Sequence, residues 1–150
     1  MNRTVLAAFA ALGVLLGTTT QLVSVAPALV PDPAPGPPSA VVFLFSTVSF
    51  LLSTVAVSGV GYWANRHVAL PDEFARFAAT AGVAGGVGFA VGGLLVLATA
   101  PIAMEGFVGT LVFGLGYNAV TKSVSVGLDA LAGAAVAQFR GSGRDSSSPK

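Results

Sequence analysis

The chain has 150 residues, 54% of them hydrophobic and 9% charged, with 7 Lys or Arg against 6 Asp or Glu. A soluble domain carries about 25% charged residues, so this chain cannot clothe a water-facing surface, and its mean hydropathy of +0.84 points the same way. A formal net charge of +1 with no basic cluster excludes a nucleic-acid partner, and the absence of cysteine excludes disulfides and thiolate metal sites.

No Asp, Glu, Lys or Arg lies between Arg3 and Asp32, between Asp32 and Arg66, or between Arg76 and Glu105. Each interval exceeds the roughly 20 residues that one helical membrane span needs. The expectation is an all-α integral membrane protein with four transmembrane helices in residues 1–140, a glycine-rich bundle whose fourth helix is long. The first span runs over about 4–25 and ends where Pro27, Pro31, Pro33, Pro35, Pro37 and Pro38 crowd together with Asp32 and Gly36. That composition lacks backbone donors and predicts an extended loop outside the hydrocarbon. A competing reading of residues 1–28 is a cleaved secretory signal, with Arg3 as its basic end, Val5 to Leu16 as its apolar core and Ala26-Pro27-Ala28 as the cleavage site. The prolines around that site weigh against it.

The second span covers about 41–63 and closes on Tyr62 and Trp63, amphipathic rings that suit the headgroup level. Arg66 and His67 mark water, and a charged connector, Pro71 through Arg76, places Asp72 and Glu73 just ahead of the third span, where carboxylates favour a helix N-terminus. The third span runs over about 77–99 and stops at Pro101. The fourth segment, about 107–137, is long for one span. Either the span ends near Val126 and continues as a surface-lying helix, with Val124, Leu128, Leu131 and Phe139 on its apolar face, or Phe107 to Gly114 forms a re-entrant turn and the span is Leu115 to Ala137. Residues 141–150, rich in Gly, Ser and charge, are expected to be a disordered cytoplasmic tail.

Arg3, Arg66, Arg76, Arg140, Arg144 and Lys150 fall on one side of a four-span chain, and Asp32 and Glu105 on the other. Lys and Arg are retained in the cytoplasm, so both termini are expected there, in a multi-pass protein of the cell membrane. Shifting the chain by 74 residues aligns Ala26-Pro27 with Ala100-Pro101, Ser49 with Ser123, Gly59 with Gly133 and Arg66 with Arg140. A duplicated pair of spans would do this, although matches of Ala and Gly arise by chance in such a composition.

Two sets of residues stand out. Gly82 with Gly86, and Gly88 with Gly92, are small-xxx-small pairs that let helices approach closely; they make the third span the expected central packing helix, with Gly13 and Gly17 offering a weaker face on the first. Asn118, Lys122, Ser125 and Asp129 fall within about 60° of arc on the fourth helix, a polar stripe that either lines a pathway, together with Gln21 and the one-faced Ser46, Ser49 and Ser53, or marks the snorkelling end of a span. No metal-ligand cluster, cofactor motif, Ser-His pair or paired intramembrane carboxylates are visible, which argues against an enzyme. Spans one to three carry no acid, which argues against proton antiport. Beyond the lipid bilayer, the expected partner is a second copy or another membrane protein. The function expected is a structural or accessory membrane protein; the alternative is a small oligomeric channel or carrier that uses the stripe from Asn118 to Asp129.

Overall fold

A computed structural model describes residues 3–29, 40–65, 70–99 and 108–145. These residues are entirely helical: α1 (Arg3–Leu29), α2 (Ala40–Leu51), a π-helical turn (Leu52–Ala56), α3 (Val57–Ala64), α4 (Leu70–Thr99) and α5 (Val108–Asp145). Four helical stretches among them are long and apolar enough to cross a membrane, Arg3–Val25, Val42–Ala64, Phe74–Thr99 and Phe113–Arg140.

The helix ends differ from the sequence reading in three places. α1 continues past Val25 through Pro27 to Leu29; a proline in the last turn withdraws a single N–H from the ladder. α4 begins at Leu70, so the stretch from Pro71 to Arg76 forms the first turns of a helix and not a connector. Proline is favoured in a first helical turn, where its missing N–H would have no partner anyway. α5 is one uninterrupted helix of 38 residues, about 57 Å long, without a re-entrant turn over residues 108–114, and it extends into the expected tail as far as Asp145. The proline loop with Asp32, the connector holding Arg66 and His67, the loop with Glu105 and residues 146–150 lie outside the described residues.

The bundle is organised around α4, which packs on α1 along one side and on α5 along another. Of the most apolar stretch of α4, 61% is buried, against 6% for the second span. The interior combines a few large side chains, Phe9, Leu16, Val57, Phe77 and Phe89, with small ones, Ala81, Ala84, Ala130 and Ala134. Phe9 and Phe77 meet edge to face with ring centroids 6.0 Å apart, a favoured aromatic geometry. Large apolar side chains such as Phe43, Phe50, Val87, Leu95, Phe113 and Phe139 point outward. A surface of this kind suits hydrocarbon, where burying Leu or Val against a neighbouring helix brings no solvation gain and close packing drives association.

Glycine provides that closeness. A methyl carbon built on Gly88 or Gly92 would collide with the backbone carbonyl of Ala10 or Val14 on α1, and one on Gly82 would lie 2.5 Å from the Ser123 carbonyl oxygen on α5. Stepping from Gly13 to Gly17 on α1 steps the contact from Gly85 to Phe89 on α4, so these two helices run parallel. Gly82 meets Ser123 while Gly127 meets Ala78, so α4 and α5 run antiparallel. Arg3, Arg76 and Arg140 therefore lie toward the same end of the bundle.

The π-helical turn is marked by the Val57 N–H bonding to the Leu52 carbonyl, five residues back. Such a turn inserts one residue into the α register and so rotates the helix that follows. Before it, α2 packs on α1; after it, α3 turns its buried residues Val57, Gly61 and Ala64 to the core and packs chiefly on α5.

Overpacking costs about 1–3 kcal/mol where neighbours can yield, and backbone carbonyls yield least, so Gly92→Leu is expected to cost at least that much stability, read by circular dichroism as a lowered unfolding midpoint in detergent. Gly59 and Gly116 have no atom within 4 Å of an added methyl. Gly59→Ala and Gly116→Ala are expected to be neutral or to stabilise by up to about 1 kcal/mol.

Candidate functional site

The four polar residues of the fourth helix lie on one edge of α5, between the side buried against the bundle and the exposed apolar face formed by Tyr117, Val120, Val124 and Leu128. Leu115, Val126, Ala130 and Ala134 are buried, so α5 stays in the bundle over its whole middle. The arrangement in which it departs near Val126 as a surface helix is not adopted. Lys122 and Asp129 both fall inside the apolar stretch Phe113–Arg140.

Asn118 is exposed and its Nδ2 donates to the Gly114 carbonyl at 2.8 Å. Ser125 is exposed and its Oγ donates to the Thr121 carbonyl at 3.2 Å. These are bonds back to the preceding turn, the ordinary way for short polar side chains to satisfy themselves in an apolar helix. Lys122 and Asp129 are half-buried at the edge of the contact surface. Seven residues separate them along the helix, about 10 Å of rise, which sets the two charges on one face without direct contact.

The other candidates do not converge on this stripe. Gln21 is half-buried on α1, where its Oε1 accepts from Ser24 Oγ at 2.9 Å, and its side chain lies against Gly93 of α4. Ser49 reaches Thr20 of α1 across a long 3.5 Å contact, whereas Ser53 donates to its own helix at the Phe50 carbonyl, 3.0 Å away. Ser46 is exposed. No polar or charged residue is buried among the described residues, and no buried side-chain polar atom there lacks a partner. The groove between α4 and α5, about 340 Å³, is apolar and opens on the flank of α5 away from the stripe, near Val124, Gly127 and Leu128. No group of His, Asp or Glu suited to a metal ion occurs among the described residues.

The glycines of α4 have a defined use. Gly88 and Gly92 face α1, and Gly82 and Gly86 face α5, where a methyl on Gly86 would collide with Ser123 Oγ. Ser123, which donates to the Ala119 carbonyl at 2.8 Å, is a packing residue that sequence reasoning passed over. So are Gly61, Gly127 and Gly133, each within collision distance of a neighbouring helix if given a Cβ. Their signal in the sequence was a small residue on a buried face, which this composition supplies in excess.

Comparison with protein-family models, with curated proteins and with solved structures finds no match.

Asn118 and Ser125 are bonded to their own helix, and no polar side chain is buried among the described residues. Single cysteines at Asn118, Lys122, Ser125 and Asp129 in this cysteine-free chain are expected to resist membrane-impermeant thiol reagents applied from either side. Labelling at all four, graded with depth, would establish a water-filled path.

Proposed function

We propose that this chain is a structural or accessory membrane protein, non-catalytic, that packs with a second copy of itself or with another membrane protein. The observation that carries the reading is the closed interior: glycine and alanine bring the helices to backbone contact, and no polar side chain is buried among the described residues. A conduit needs the opposite arrangement, polar groups turned toward a shared cavity.

The same geometry bears on where a partner would sit. Gly82, Gly86, Gly88 and Gly92 are occupied by contacts within the chain, so they are not free to dock another helix. The outward surfaces remain, and among them the stripe from Asn118 to Asp129 is the one that acyl chains disfavour. Interhelical hydrogen bonds from such residues are worth about 0.6–2 kcal/mol. The bundle end that holds Arg3, Arg76 and Arg140 supports an orientation with both termini in the cytoplasm of a cell-membrane protein.

The alternative, an oligomeric channel or carrier, would have to form its path between copies, with the stripes turned toward one another. Flux measured in reconstituted vesicles separates the two. The expected outcome is no ion or solute flux above that of protein-free vesicles, unchanged by Lys122→Leu with Asp129→Leu. Flux present in the native protein and lost in the double variant would overturn the accessory reading and install the conduit.

A further inference from the structure

Gly13, Gly17, Gly61, Gly88, Gly92 and Gly133 obey one contact rule. An added methyl on Gly13 meets the carbonyl of Gly85, and one on Gly88 meets that of Ala10; Gly17 meets Phe89 and Gly92 meets Val14; Gly61 meets Ala130 and Gly133 meets Ser58. Take Gly88 as the equivalent of Gly13, Gly92 of Gly17, and Gly133 of Gly61. Each contact is then the reverse of another, and every glycine rests on the residue three positions before its own equivalent. Residue i meeting j while j meets i defines an isologous, two-fold interface, here formed within a single chain.

We infer that the protein is a fused pair of equivalent two-helix units, residues 3–65 and 70–145, related by a pseudo-two-fold axis that runs along the helices. The axis passes between α1 and α4 and between α3 and α5. The partner that each unit's glycine face fits is a second copy of the same unit. α1 and α4 run parallel, as helices exchanged by such an axis must.

The two crossings are independent observations and agree closely. Equivalent glycines stand 75 residues apart across α1 and α4, and 72 apart across α3 and α5. The first unit therefore carries three more residues between its glycine sets, and the inserted residue of the π-helical turn at Leu52–Ala56 supplies one of them. The single 74-residue shift seen in the sequence falls between these values and mispairs Gly133 with Gly59, where an added methyl would touch nothing.

The symmetry makes the link from the end of α5 to the start of α1 equivalent to the existing link from α3 to α4. A circular permutant that starts at Arg66, runs through Lys150 into Met1 and ends at Asn65 retains every residue. It is expected to fold in detergent with the helicity of the native chain and an unfolding midpoint close to its own. Matched substitutions in the native chain provide the second arm: Gly13→Ala against Gly88→Ala, Gly17→Ala against Gly92→Ala, and Gly61→Ala against Gly133→Ala. The members of each pair are expected to lose equal stability. A permutant that fails to assemble, or pairs in which one member is costly and the other silent, would overturn the two-fold relation.

Discussion

The structure depends on backbone-to-backbone approach at glycine. In water a helix bundle is held by moving large apolar side chains out of solvent, and the packing distance follows from their size. In hydrocarbon that term vanishes between helices, and association rests on dispersion and on polar contacts that grow as the axes draw together. The arrangement here follows that physics: Phe43, Leu95 and Phe113 are outside, while Gly13, Gly17, Gly88 and Gly92 are at the centre. Because a Cβ at these glycines would strike a carbonyl and not the tip of a side chain, the helices cannot relax around it without separating along their length. The constraint is shared among α1, α4 and α5, so the central position of α4 follows from its having glycines on two faces at once.

This constraint also explains which parts of the fold were legible in the sequence. Spans announce themselves through uninterrupted apolar runs, and the four found match in number and order the four long apolar helices of the structure. Their ends were less legible because the same residues serve both sides of a boundary. Pro71, Asp72 and Glu73 suit a connector ahead of a helix, yet proline and carboxylates are equally the marks of a helix's first turn. The length of α5 invites a division in sequence, because a straight helix of that length exceeds a bilayer core of about 30 Å. Nothing in the physics of the backbone requires it to stop there.

The partners of the glycines, and the π-helical turn, were not legible for a different reason. With 19 glycines in the chain, small-xxx-small spacing recurs on many faces, and spacing alone does not say whether a face meets another helix or lipid. Gly59 and Gly61 show the difficulty: two residues apart, one faces open space and the other rests on Ala130. A π-helical turn leaves still less trace, since Leu52–Ala56 is as apolar and as helix-compatible as its flanks. Its cause lies in tertiary structure, in a span that contacts α1 with its first half and α5 with its second.

The two halves share the glycine crossings that join them and differ in the packing within each. Beyond the π-helical turn, where the 72-residue offset applies, Asp129 takes the position that Val57 holds in the first half, and Val57 is fully buried. The position thus takes a fully buried apolar residue in one half and a half-buried carboxylate in the other. A charge within a span costs at least about 2.5 kcal/mol on insertion scales, and Lys122 adds a second one a few residues away. These two groups stand on one edge of one helix, in one half only, at the margin of the packed face and not inside it.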